Sequence, residues 1–210
     1  MNRISVDFSI NSTAICVEDS NNIEWFNFVP NLDFDKKAFS LHKKLNELPN
    51  VHIFGYNRNK PKDLEYSDEQ SWKINNADDL AELIIQRMIP YIDDKTTFSF
   101  EGYSFGSKGN SFIDLITYNT FLKAKIVRNS CQPIQVYSPK AVKKFFSGNG
   151  NASKGMMVDT LGNLNIDDPF VSYVKELIGG SDYNPDKVPK PIDDLTDAYA
   201  ILQYSKRVVS

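Results

Sequence analysis

The chain has 210 residues, 41% apolar and 24% charged, which suits one large globular domain with ample material for a core. Its apolar runs are broken every few residues, so it offers no membrane span, and its first residues enter a strand pattern without a secretory apolar stretch. The formal charge of −3 lacks the basic footprint expected of a nucleic-acid binder, but only the field beside a groove governs binding, so it counts weakly against DNA.

Three short strands open the chain, over residues 4–9, 13–18 and 23–29, and connections this tight predict an antiparallel meander that Pro30 ends. A helix is expected over 35–48, a strand over 51–56 and an exposed polar loop over 57–73. Ala77, Leu80, Leu83, Ile84 and Met88 follow the helical period up to Pro90, with Asn75 or Asn76 as cap. A strand over 96–101 precedes a helix over 111–127 with Phe112, Leu115, Ile116, Asn119, Leu122 and Ile126 on one side. After a strand over 133–137, Ser138 and Pro139 have the order of helix cap and first-turn proline, and that helix breaks at Ser147-Gly148-Asn149-Gly150. Further helices are expected over 153–161, 170–178 and 193–207. The order predicts an α/β fold with a mixed sheet and helices on its faces. Cys16 and Cys131 sit in β-like runs without a second Cys or a His at ligand spacing, so both read as buried free thiols of an intracellular, cytoplasmic protein.

Four carboxylates stand out. Asp7 lies inside an apolar strand, where Asp is disfavoured and a buried carboxylate needs a partner or a metal; the blander alternative is an edge strand turning it to water. Glu101 ends a Phe-, Ser- and Thr-rich run just before Gly102, and a solvated strand end is again the bland alternative. Asp194 and Asp197 share a helix face that Ala198 and Ile201 continue inward, and two like charges there repel unless a cation lies between them. Helix-dipole compensation accounts for Asp193 and Asp194 but less well for Asp197, and Asp193, four residues before Asp197, rivals Asp194 as its mate. Oxygen ligands of this kind suit Mg²⁺ or Mn²⁺, and two ions about 4 Å apart are a known device for phosphodiester hydrolysis. His42 and His52 have no such constellation around them.

Residues 137–154, Tyr-Ser-Pro-Lys-Ala-Val-Lys-Lys-Phe-Phe-Ser-Gly-Asn-Gly-Asn-Ala-Ser-Lys, resemble the RuvC family of Holliday junction resolvases at its Pro, Val-Lys, Gly-Asn-Gly and Ala-Lys segment. Asp7 with Ser9, Glu101, and the Asp194-x-x-Asp197-Ala198 stretch are similar to the family's other signatures, in the same order. Residues 1–29 and 95–207 are covered, leaving 30–94 as an insertion in a single domain over 1–210. The resemblance implies an RNase H-like five-stranded sheet, three antiparallel strands followed by parallel ones. It implies a homodimeric endodeoxyribonuclease of DNA recombination and repair that resolves four-way junctions by paired symmetric nicks. Asp7, Glu101, Asp194 and Asp197 would hold two Mg²⁺, with Mn²⁺ as substitute, while Lys154, Lys143, Lys144 and the Gly148-Asn149-Gly150 turn would contact phosphates. Tyr103 and Phe105 are both candidates for an aromatic wedge stacked on unpaired bases. The long insertion and low basicity fit a divergent, viral or phage member. The alternatives are a nuclease for other branched DNA (flaps, forks, packaging intermediates) and a catalytically silent DNA-binding or assembly module.

Overall fold

The computed structural model describes residues 1–20, 22–103, 109–130 and 133–209. Strands β1 (Arg3–Asp7), β2 (Thr13–Asp19) and β3 (Asn22–Pro30) form the expected meander, with Val6 opposite Ile15 and Ile15 opposite Phe26. Helix α1 (Ser40–Leu45), entered through a 3-10 turn at Lys37–Phe39, is shorter than the helix expected over 35–48. β4 (Val51–Tyr56) then returns parallel to β3, with Trp25 opposite Val51. Next come α2 (Tyr66–Met88), β5 (Thr97–Glu101), α3 (Asn110–Ser130), β6 (Ile134–Tyr137) and α4 (Pro139–Ser147). α5 (Lys154–Gly162), α6 (Pro169–Gly179) and α7 (Ile192–Val209) complete the chain. Among the described residues no helix is long and apolar enough to cross a membrane.

The sheet has six strands, not five, in the order β4-β3-β2-β1-β5-β6. The extra strand is β4, from the segment expected as an insertion: with Val51, Ile53 and Tyr56 buried, it pairs along the flank of β3 and covers an edge that would otherwise expose unpaired backbone. β5 lies parallel to β1 and β6 parallel to β5. α2 is longer than its apolar period suggests. Residues 66–73, expected in a polar loop, form its first turns, with Asp68 and Glu69 near the positive end of the dipole and a Glu69–Lys73 pair at 3.5 Å. Asn76 is therefore no cap. It is buried within α2, where its Nδ2 donates to Asn57 O at 2.6 Å and its Oδ1 accepts from Tyr118 OH at 2.9 Å.

The two sheet faces differ in the size of their side chains. Ile4, Val6, Ile15, Val17, Phe98 and Phe100 fill one face beneath α2 and α3. The other face presents Ala14, Cys16 and Trp25 to α5, α6 and α7, with Ser5 and Ser99 buried as well. Ser5 Oγ lies 2.7 Å from Ala198 O and 3.1 Å from Cys16 O, so small strand residues let α7 approach closely and one hydroxyl ties it to β1. Asp168 organises the far part of this layer. It accepts from Val171 N (2.9 Å) as the N-cap of α6, and from Trp25 Nε1 (3.1 Å) and Asn50 Nδ2 (2.8 Å). Cys16 is a buried free thiol, as expected, while Cys131 lies outside the described residues.

Candidate active site

Asp7 and Glu101 are the last residues of β1 and β5, neighbouring parallel strands whose register sets Val6 beside Phe100. Parallel pairing thus delivers both carboxylates to the same end of two adjacent central strands. They alternate onto the face of Ser5 and Ser99, which α7 covers, and the Ser5 contact to Ala198 O brings the adjoining Asp197 to the same place. Ala198 and Ile201 are buried, so the inward face read from the sequence is the observed one.

The four carboxyl groups act on one another. Burial pushes Asp197 up to about 7, with the Glu101 charge as the next cause; Lys143 opposes the shift. Asp7 is held well above the usual carboxylate range by burial and then by Asp197, Glu101 and Asp194, with Lys190 opposing. Glu101 is raised by burial against the pull of Lys143. Asp194 is raised by burial and by Asp193, while Lys190 and a hydrogen bond from Ser12 act the other way. Crowded anions in a poorly solvated place favour their neutral forms until positive charge arrives.

Part of that charge comes from the chain. Lys190 Nζ lies 2.9 and 3.0 Å from the two oxygens of Asp194, and Lys154 Nζ pairs with Asp193 Oδ2. Asp193 and Asp194 are both buried, and among the described residues Asp193 Oδ1 has no hydrogen-bond partner. The oxygen-only donors and their repulsion fit a divalent cation, and the orphaned oxygen is a further vacant ligand. Among the described residues, however, no three acidic, His or Cys side chains are gathered closely enough to cage an ion. Sequence reasoning missed both partners of Asp194: Lys190 had only its four-residue spacing to suggest it, and Ser12, far off in the chain, is revealed only by its proximity in the fold.

The expected DNA contacts divide. Lys143 reaches the carboxylates from α4 and, with Pro139, lines a cleft of about 280 Å³ that also holds Asp7, Glu101 and Asn119. Lys144 is exposed. Gly148, at φ +79°, closes α4 in the left-handed conformation that favours glycine. The turn spends several of its N–H groups internally: Gly148 N–H on Lys144 O, Asn149 N–H on Ser147 Oγ, Asn151 N–H on Asn149 Oδ1 and Ala152 N–H on Asn149 O. Ser138 occupies the N-cap of α4 without a side-chain capping hydrogen bond, the Ala141 N–H going to its backbone oxygen at 3.0 Å; Ser153 does cap α5, accepting from Met156 N at 3.3 Å. Tyr103 lines the carboxylate cleft, edge-on to Phe112 at 5.7 Å and beneath Lys123. Phe105 lies outside the described residues.

No protein-family model and no curated protein sequence matches the chain. Solved structures do. Thermus thermophilus RuvC superposes over 100% of this chain and 97% of its own, with a TM-score of 0.50 at 12% identity. T. thermophilus RuvC in complex with a Holliday junction substrate gives 0.50 at 12% identity over 100% and 96% of the two chains. The yeast mitochondrial Holliday junction resolvase Ydc2 gives 0.49 at 12% identity over 95% of this chain and 75% of its own. A viral source finds no support in these likenesses. Strand order, the helix laid over β1 and β5, and end-to-end superposition on T. thermophilus RuvC agree: the chain has a RuvC-like, RNase H-like fold.

Proposed function

We propose that the chain is a divalent-metal-dependent, structure-selective endodeoxyribonuclease that acts as a homodimer and resolves Holliday junctions by paired, symmetric nicks. One observation carries the reading: three separate segments bring Asp7, Glu101, Asp194 and Asp197 into a single interacting set whose carboxyls are all raised by burial. A pair of Mg²⁺ or Mn²⁺ ions bound there would stabilise charge on the attacked phosphate. Asp7, Glu101 and Asp197 would hold them together with Asp194 or its neighbour Asp193. Lys143, whose charge already acts on Glu101 and Asp197, orients those carboxylates and meets the phosphate entering the cleft. Lys154 and Lys144 add backbone contacts, and Tyr103 offers a ring to a base beside the scissile step. The buried, unpaired Cys16 suits a reducing, cytoplasmic setting.

The lysine ties on Asp193 and Asp194 favour one alternative, a module that grips branched DNA without cutting it. Asp7→Asn decides between them. It should abolish Mg²⁺-dependent cleavage of a mobile four-way junction while leaving junction affinity unchanged. Wild-type protein that binds the junction but cuts it in neither Mg²⁺ nor Mn²⁺ refutes the nuclease reading. Equal cleavage of a flap and the junction would assign it to branched DNA at large.

A further inference from the structure

The carboxylate cleft does not end at Phe112 and Leu115. These two α3 residues also wall a second cleft, of about 390 Å³, lined by Ser9, Asn11 and Arg58. Arg58 and Asp114 are shared in turn with a third, of about 250 Å³, lined by Lys60, Trp72 and Lys73. We propose, on the basis of the nuclease reading above, that this run of clefts is the bed of the DNA strand flanking the scissile phosphate, and that Arg58 binds a backbone phosphate within it.

Arg58 is placed for that role by contacts and by the lack of a counter-charge. Its Nη1 donates to Asn11 Oδ1 at 2.7 Å, its backbone N–H donates to Asn31 Oδ1 at 2.9 Å, and its guanidinium lies 6.0 Å from the centre of the Tyr118 ring. Among the described residues no carboxylate is within ion-pair distance of it, and its Nε is buried without an acceptor. The neighbouring cations differ. Lys60 is paired with Glu69 at 3.3 Å, and Lys73 with Glu69 at 3.5 Å and Asp114 at 3.1 Å. Three cations thus face two carboxylates in the third cleft, and Arg58 is the one left over. A partly desolvated guanidinium held in one orientation by an amide and a ring is suited to a phosphate oxygen. Asn11 stands four residues beyond Asp7, at most about 14 Å of extended chain, so such a phosphate lies a few nucleotides from the cut. Trp72, partly exposed beside it, adds a surface on which a base can stack.

The test is equilibrium binding of a labelled four-way junction to the full chain in EDTA, between about 50 and 200 mM salt. Arg58→Gln should weaken binding about five- to tenfold near 0.1 M salt and lower the slope of log K against log salt by almost one. Arg58→Lys should restore most of the slope, and it carries the test if Arg58→Gln lowers the melting midpoint. Exposed Lys175, on the outer side of α6, gives the charge-matched control: Lys175→Gln should change neither quantity. Wild-type affinity and slope in Arg58→Gln, beside a wild-type protein that binds and cuts the junction, overturn the proposed strand bed and leave the nuclease reading intact. Failure of the wild-type chain to bind DNA overturns both.

Discussion

Asp197→Asn separates what the carboxylate cluster costs the fold from what it contributes to chemistry. Asp197 titrates at about 7 in the folded protein against an ordinary 3.8. Between those values the folded chain holds a proton that the unfolded chain has released, so stability from this group is complete below about pH 4 and declines as pH rises to about 7. Three pH units correspond to about 4 kcal/mol for an isolated group. Asp7 and Glu101 share the same repulsion, so the single replacement should release part of that, about 2–4 kcal/mol. In a chain of this size each kcal/mol moves the midpoint by about 2–4 °C. Asparagine copies the shape of the protonated carboxyl and cannot ionise. Melting in EDTA should therefore show Asp197→Asn above wild type by about 5–15 °C at pH 8, with the gap closing towards pH 4. Mg²⁺ at pH 8 should raise the wild-type midpoint and barely move the variant, which should also lose cleavage. A variant that melts at or below wild type at pH 8 in EDTA refutes the claim that crowded anions weaken the metal-free fold.

Two further substitutions probe other links. Lys190→Gln removes the counter-charge of Asp194; with Lys190 half exposed, the metal-free midpoint should fall by no more than about 1 kcal/mol equivalent, while Mn²⁺ binds more tightly by calorimetry because the ammonium no longer competes. An unchanged Mn²⁺ isotherm would show that Lys190 does not occupy the ion's place. Asp168→Ala strips the cap of α6, leaves the Trp25 indole N–H buried without an acceptor and leaves Asn50 Nδ2 with Ile23 O alone, so denaturant unfolding followed by tryptophan fluorescence should show a loss of about 2–4 kcal/mol. A loss under about 1 kcal/mol would mean that water or a rearranged side chain replaces the carboxylate.

Local signals and long-range ones were not equally legible. Pro139 and Gly148 bracket α4 because fixed φ at one end and positive φ at the other are properties of single residues, readable without a partner. The six-stranded sheet was not legible, because Val51 to Tyr56 reads as a strand but nothing local says which edge it joins. The start of α2 was missed for a related reason: Tyr66 to Asn75 has no apolar stripe, and its helicity draws on Asp68, Glu69 and the tie to Lys73. Arg58, Lys154 and Lys190 find Asn11, Asp193 and Asp194 across turns and separate elements, where sequence spacing carries no geometry, apart from the one-turn step from Lys190 to Asp194.

The alternation in β1 shows how the same residues support opposite readings until the third layer is known. Ile4 and Val6 against Ser5 and Asp7 is the pattern of a strand with one apolar and one wet face, which is the bland account of Asp7. In the structure Ser5 is fully buried, and the polar face is the one against which α7 packs, through the Ser5 contact to Ala198 O. A polar strand face under a helix is costly unless each group finds a partner. The hydroxyl of Ser5 finds backbone oxygens, but Asp7, Glu101 and Asp197 meet mainly one another. Asp193 and Asp194 differ from them in being ion-paired to lysines, so the choice between those two ligands becomes a question about cations: which of Lys154 and Lys190 yields its carboxylate when a divalent ion enters. Lys190 holds both oxygens of Asp194 and already acts on Asp7, whereas Lys154 leaves one oxygen of Asp193 without a partner among the described residues. If Lys190 is the cation displaced, Lys190→Gln alone should tighten Mn²⁺ binding; if it is Lys154, Lys154→Gln alone should.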